Sequence, residues 1–552
     1  MLKENLVKQF EISMKNNWDI PALSDFNGKS LTYGEVAENI IWLHYIFEKA
    51  QIKRGDKIAL IGKNSVNWAL TYLATITYGA VIVPILPDFH AEDVHHIVNH
   101  SDSVLLFALE SIYEKLDETK MQNLEAIFSL EDFKLFYYKK KSLVTIIEKS
   151  KDNFLDKYDG FLTAEKLSFP EISNNELAEI VYTSGTTGFS KGVMLPHNSL
   201  LANVIYAQNH MDLKPGDTIA SFLPIAHTFG CAFEFLFPFS VGCHITFLGK
   251  IPSPKVVLQA FKQVRPRLIL SVPLVLEKIY DKQIRAALDK GIVKILTKTP
   301  LLKSLIYKKI CKKLIEAFGG NFKEIVIGGA ALNEKVETFL KMIGFPVTVG
   351  YGLTECGPLV SYAPWDEHKT SSVGKIVDTL EVRIDSDDQQ KIVGEILVRG
   401  ENVMLGYYKN EEATNEAIDK DGWLHTGDLG VVDEDGFIFI KGRCKSMILG
   451  PSGQNIYPEE IEAKLNNLPF IQESLVVQKN KKLIALVYPD LELADAKGIN
   501  EKKLTVKMEE NRKFINRQLP PYCPITKIEL SPEEFEKTPT QKVKRYLYTL
   551  ST

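Results

Sequence analysis

Residues 182–197 read YTSGTTGFSKGVMLPH, and those sixteen residues hold the chemistry of polyphosphate binding. Gly185, Gly188 and Gly192 let backbone N–H groups approach an anion with no Cβ in the way, while five Ser and Thr hydroxyls and Lys191 supply further donors. A loop of this kind is expected to bind a nucleoside triphosphate. The preceding ELAEIVYTS is apolar and β-branched, and the following NSLLANVIYAQNHM has helical spacing, so the loop is expected to join a strand to a helix. It is not a Walker loop, because Ser190 precedes Lys191 and Gly192 follows it, and GTTG lacks the spacing of a kinase glycine loop.

Outward from the loop, residues 31–110 alternate helix and strand: LTYGEVAENIIWLHYIFEKA, DKIALIG, NWALTYLATITYGA and VIVPIL. The alternation predicts a parallel sheet flanked by helices. Short apolar runs ending in Gly or Pro recur in PGDTIASFLP, GCHITFLG, PRLILSVP, KEIVIGGA and FPVTVGYG. Open sheets place ligands at the carboxyl ends of such strands. From about residue 372 the pattern changes to short antiparallel strands, with DEDG at 433–436 as a hairpin turn. After Arg443 a compact α+β pattern begins, which divides the chain into a large domain, 1–443, and a small one, 444–552.

At 552 residues more than one domain or subdomain is expected, and a formal net charge of -4 gives no global signal for nucleic acid. The six cysteines are scattered without CxxC spacing, which points to a reducing, cytoplasmic setting. The N-terminal segment mixes charged with apolar residues and carries no signal-peptide stretch. No run reaches the roughly 18 apolar residues of a spanning helix, so the chain is expected to be soluble, or at most peripheral to a membrane. One segment stands out in charge. Lys278 to Lys323 holds twelve Lys and Arg against three Asp and Glu, interleaved with Ile, Leu and Tyr, a pattern that suits either a solvated excursion or contact with anionic lipid. In HAEDVHHIVNH, His96 and His100 have helical metal-ligand spacing, but no third ligand is evident.

Four further strings follow in order: GGAALNE at 328–334, GYGLTE at 350–355, DGWLHTGDLG at 421–430 and TPTQKVKR at 538–545. With the loop at 182–197 they resemble the adenylate-forming superfamily, and most closely its long-chain fatty-acid CoA ligase branch. The resemblance implies an α/β fold: a large N-terminal domain of two doubly wound subdomains plus a small β-barrel, followed by a small mobile α+β domain. It also implies a reaction in two halves. A carboxylate attacks the α-phosphate of ATP to give acyl-AMP and pyrophosphate, and the thiol of CoA then displaces AMP.

Carried over residue by residue, the resemblance implies that Thr183, Ser184, Gly185, Thr186, Thr187, Gly188 and Lys191 embrace the β- and γ-phosphates. Thr354 would donate to the α-phosphate and Glu355 would hold Mg2+. Gly329, Ala330, Ala331 and Tyr351 would form the adenine pocket, Gly352 would also belong to the ATP site, and Asp428 and Arg443 would meet the ribose. His227, in LPIAHTFG, would occupy an aromatic gate between the acyl carboxylate and the CoA tunnel. The acid would lie among Phe229, Phe233, Ser271 to Pro273 and Gly328 to Ala330. Lys542 would swing in for adenylation about a pivot at Lys445. Two departures from the family pattern stand nearby: Gln541 where many members carry Gly, and Gly442 where many carry Asp. An acyl-AMP ligase that loads a carrier protein shares every ATP motif, but the hydrophobic insertion typical of that class is not obvious in this sequence. A non-catalytic relative would be expected to lack Lys542, Glu355 or Asp428, and all three positions are filled.

Overall fold

The computed structural model describes residues 2–150, 161–183, 191–249, 254–280, 284, 300–449, 454–479, 482–537 and 543–549. Its largest sheet has eight strands, in the spatial order Gly406–Tyr407, Lys191–Pro196, Leu177–Thr183, Val81–Ile85, Lys57–Ile61, Ser103–Ala108, Ala126–Ser129 and Leu135–Tyr138. The inner strands are parallel. Covered on both faces, they are continuous apolar runs such as VIVPI, in which all five residues are buried.

The helices between these strands begin and end where local chemistry dictates. Tyr33–Lys49 opens on a capping box, in which the Thr32 hydroxyl accepts from the Glu35 N–H and the Glu35 carboxylate accepts from the Thr32 N–H. Val66–Tyr78 is capped by Ser65 and stops at Gly79, whose φ of 89° needs a residue without a Cβ.

A second layer of strands comprises the sheet Thr218–Ser221, His244–Phe247, Pro21–Asp25 and Ser30–Thr32, and the parallel sheet Leu268–Ser271, Glu324–Ile327 and Val347–Val349. The two adjoin where the Arg267 N–H donates to the Thr218 carbonyl at 2.8 Å. A small barrel-like unit follows. Its three-stranded sheet (Tyr351–Gly352, Leu359–Tyr362, Lys375–Ile376) meets a four-stranded antiparallel sheet (Leu380–Asp385, Gly394–Gly400, Leu424–Val432, Ile438–Arg443) through a bridge between Lys375 and Phe437. The expected α/β architecture of a large N-terminal domain and a smaller α+β C-terminal domain is what the chain adopts. The large apolar core runs from Leu6 to Ile438, and a separate core spans Ile456 to Ile525. The latter lies between the sheet Ile471–Lys479, Lys482–Pro489, Ile525–Leu530 and the helices Pro458–Leu465 and Glu501–Asn516.

One expectation is corrected. The phosphate-loop sequence does not pass from strand to helix: Lys191–Pro196 forms a strand antiparallel to Leu177–Thr183, and the helix His197–His210 starts only after it. Val193 and Leu195 are fully buried, but Gly192 and Pro196 are buried as well, so this short strand carries no clean alternation to separate it from the helical run behind it.

The helix His197–His210 then locks the turn that carries Thr354 and Glu355. Asn203, fully buried, donates to the Cys356 carbonyl at 3.1 Å and accepts from the Leu359 N–H at 2.9 Å. Asn203→Ala orphans both groups, and loss of about 2 kcal/mol of stability is expected. Denaturant unfolding checks this, and a midpoint unchanged from the parent would contradict it.

Candidate active site

The carboxyl ends of the strands and the facing side of the C-terminal domain enclose one large cleft of about 3540 Å³. Thr183, Lys191, His227, Gly329, Ala330, Ala331, Tyr351, Gly352, Thr354, Glu355, Asp428, Arg443 and Lys445 all line it. Ser184, Gly185, Thr186, Thr187, Gly188 and Lys542 lie outside the described residues.

At one wall Asp428 is only 4% exposed. Its Oδ2 accepts from the Tyr351 hydroxyl at 2.7 Å, and its Oδ1 lies 2.9 Å from Arg443 Nε. A carboxylate this deep requires such donors. Asp428 and Arg443 face each other across the hairpin because the register slips between Leu429 and Gly430: without that bulge Asp428 would face Gly442. Burial and the Asp428 charge push the Tyr351 hydroxyl well above its ordinary value, so it stays protonated and donates. Next to this pair, Glu395 accepts from the Gly427 N–H at 2.9 Å and lies 2.8 Å from His425 Nδ1. These two contacts hold the TGD turn open to the cleft.

At the other wall Lys191 ends the hairpin loop, and its Nζ lies 4.6 Å from the centroid of the Tyr407 ring. The Tyr407 hydroxyl donates to Glu355 Oε1 at 2.8 Å. Tyr407 was not singled out in the sequence, where the aromatic pair in LGYYKN cannot be told from packing residues. Its signal is structural, because Gly406–Tyr407 adds an edge strand to Lys191–Pro196.

His227 is half-buried, and its Nδ1 accepts from the Phe229 N–H at 3.3 Å, which places any ring proton on Nε2. Phe229 lies over Gly328, where a Cβ would come within 2.7 Å of the ring. Only glycine leaves the ring that seat. His100 is committed elsewhere, with Nδ1 2.7 Å from the Tyr182 hydroxyl, and no group of three or more metal-ligating side chains occurs among the described residues.

Beyond the short turn Cys444–Ser446, the helix Pro458–Leu465 packs back on the hairpin through Glu460, 3.4 Å from Lys441. Its Glu462 is ion-paired with Arg545, which also approaches Glu459 at 3.5 Å. Arg545, the last residue of TPTQKVKR, is thereby tied to this helix. In the basic segment, Pro300–Ala317 is a helix. Among the described residues its Lys308, Lys309, Lys312 and Lys313 have no carboxylate partner, and Leu302 and Leu305 are exposed. No helix among the described residues is long and apolar enough to cross a membrane.

A family profile described as AMP-binding enzyme matches residues 10–408. The long-chain-fatty-acid–CoA ligase FadD15 of Mycobacterium bovis is 30% identical over 544 residues, covering 90% of this chain and 86% of that protein. The long-chain-fatty-acid–CoA ligase of Escherichia coli O157:H7 is 29% identical over 505 residues, covering 86% and 83%. ATP-bound MatB from Rhodopseudomonas palustris shares the fold with a TM-score of 0.76 at 22% identity, over 99% of this chain and 98% of that one. A Mycobacterium tuberculosis fatty acyl CoA synthetase shares it with a TM-score of 0.67 at 20% identity, over 99% and 97%. The chain belongs to the AMP-binding enzyme family. Within that family it is similar over most of its length to long-chain-fatty-acid–CoA ligases.

Proposed function

We propose that the protein is an acyl-CoA synthetase: it activates a medium- to long-chain fatty acid with ATP to acyl-AMP, releasing pyrophosphate, and passes the acyl group to CoA. The observation that carries this reading is the pairing, across one cleft, of a buried carboxylate gripped by Tyr351 and Arg443 with a Lys191–Tyr407–Glu355 cluster. The first suits a ribose and the second a triphosphate, and the similarity to long-chain ligases supports the choice of acid.

In the first half-reaction two anions must meet. The acid's carboxylate oxygen bonds to the α-phosphorus while the bond to pyrophosphate breaks. Positioning supplies about 7–11 kcal/mol of such a barrier, and fixed donors supply more. Lys191 and the loop Thr183 to Gly188 take the leaving pyrophosphate, and Thr354 donates to the α-phosphate. Gly329, Ala330, Ala331 and Gly352 leave room for the base beside Tyr351. Asp428 and Arg443 hold the sugar. Glu355 suits Mg2+: it lines the cleft without an ion pair among the described residues, and a hard cation that keeps most of its ligands from phosphate and water needs only one carboxylate. When bound, the ion offsets charge on the phosphates. Lys542 contacts the reacting carboxylate. In the second half-reaction the domain 444–552 turns about Lys445 relative to 1–443, and the deprotonated CoA thiol attacks the acyl carbonyl past His227, expelling AMP. The lysines of Pro300–Ala317, with Leu302 and Leu305 beside them, support a peripheral contact with anionic lipid, where the acid substrate dissolves.

Lys542→Ala is expected to lower ATP–pyrophosphate exchange by on the order of 10² or more, while thioester formation from supplied acyl-AMP survives. Exchange at the parental rate would remove Lys542 from the reaction. Asp428→Asn is expected to weaken ATP binding about tenfold, roughly 1.4 kcal/mol, by calorimetry. An unchanged affinity would place the ribose elsewhere.

A further inference from the structure

The segment Met404 to Tyr408 touches both charged anchors of the cleft. Its backbone is bonded to the hairpin that follows the phosphate loop: the Leu405 N–H donates to the Met194 carbonyl at 2.9 Å and the Tyr408 N–H to the Gly192 carbonyl at 2.8 Å. On its other side the Met404 N–H donates to the Glu355 carbonyl at 2.8 Å. Tyr407 extends this strap with its side chain, which places the hydroxyl 2.8 Å from Glu355 Oε1 and the ring 4.6 Å from Lys191 Nζ. The residue itself is held firmly. Its N–H donates to the Thr414 hydroxyl at 2.9 Å, and Thr414 packs against Gly406, where a Cβ would meet the Thr414 methyl at 2.6 Å.

Lys191 and Glu355 carry opposite charges on neighbouring segments, yet no ion pair joins them among the described residues. Each has a neutral partner in Tyr407 instead. The ring face attracts the ammonium without neutralising it, and the hydroxyl fixes one carboxylate oxygen without consuming the charge. A direct Lys–Glu pair would have to be broken before either group could serve a phosphate or a cation.

We propose that Tyr407 is a positioning residue for the adenylation half-reaction: its ring seats Lys191 for the phosphates and its hydroxyl orients Glu355, holding the two charges apart and available. This rests on the roles given above to Lys191 and Glu355. The two functions of one side chain are separable. Tyr407→Phe keeps the ring and removes the donor, so kcat for pyrophosphate exchange is expected to fall about tenfold. ATP affinity in metal-free buffer, read by calorimetry, is expected to stay within about twofold. Tyr407→Leu removes the ring as well, and ATP affinity is then expected to fall about three- to fivefold. In a Glu355→Gln background the Phe substitution should add nothing, because its effect runs through that carboxylate. Thioester formation from supplied acyl-AMP should be unchanged in the Phe variant.

Parental exchange in Tyr407→Phe, an undiminished Phe effect in the Glu355→Gln background, or equal ATP affinity in the Phe and Leu variants would overturn the proposal. So would a parallel loss of both half-reactions with a lowered thermal midpoint, which marks a packing role. Parental exchange in Glu355→Gln itself would overturn the reading of the site on which the proposal stands. An impaired Glu355→Gln beside a parental Tyr407→Phe overturns this proposal alone.

Discussion

A carboxylate at 4% exposure is the demand that shapes one half of the cleft. Removing the Asp428 charge from water costs several kcal/mol unless donors replace the lost hydration. Tyr351 and Arg443 supply them, and each reaches Asp428 for a backbone reason. Tyr351 begins the edge strand that pairs with Leu359–Tyr362, and Arg443 ends a strand whose register is shifted by a bulge. The Asp428 N–H is in turn satisfied by the Thr426 hydroxyl at 3.1 Å, which itself donates to the Ile396 carbonyl. The small antiparallel unit is therefore built to keep one charge buried with its partners at hand.

The opposite half of the cleft depends on stitching segments that lie far apart in the chain. Asn203 ties the helix after the hairpin to the Thr354–Cys356 turn, and the Asn402 side chain donates to the Leu359 carbonyl at 3.0 Å and accepts from the Thr379 hydroxyl at 2.5 Å, while its backbone carbonyl accepts from the Ser199 hydroxyl. Both asparagines are completely buried. Buried amides satisfied on both sides are rigid links, because any shift leaves polar groups unpaired in a low dielectric. Lys191 and Glu355 thereby sit on one frame, although 164 positions separate them in sequence.

Strands and helices were legible in the sequence wherever periodicity was long and punctuation strong. DKIALIG, VIVPIL and KEIVIGGA become parallel strands, and NWALTYLATITYGA becomes a helix that stops at its glycine. The strand Lys191–Pro196 was not legible, because six residues whose burial does not alternate cleanly, followed at once by a helix, give no period-2 signal. Glycines and hydroxyls mark a candidate phosphate loop in the sequence, and its residues 184–190 lie outside the described ones. Tyr407 was invisible: a tyrosine beside a glycine is common, and its meaning comes from Lys191 and Glu355, which only tertiary structure brings to it. The facing of Asp428 and Arg443 shows the same limit. DEDG fixes the turn, but the bulge that sets the register has no signature in composition.

The chain leaves the Asp428 wall directly into the connection between domains. Arg443 is the last residue of its strand, Cys444–Ser446 makes one tight turn, and Pro458–Leu465 returns to the same hairpin through Lys441 and Glu460. A single strand thus contributes a partner of the buried carboxylate and leads directly into the C-terminal α+β unit. That domain is fastened internally by Arg545 to Glu459 and Glu462 on the same helix, which ties residues 543–549 to the helix Pro458–Leu465. Among the described residues the polar contacts between the two units include Lys441 with Glu460 and the Lys335 ammonium, which donates to the Asn467 carbonyl. Exposed pairs of this kind contribute about 0–1 kcal/mol each. If the chain pivots at Lys445 as proposed, one covalent connection and weak polar contacts cost little to rearrange, whereas the two internal frames do not yield. On the proposed reading this contrast is what a two-step ligase needs: the nucleotide site stays built while the face presented to it is exchanged.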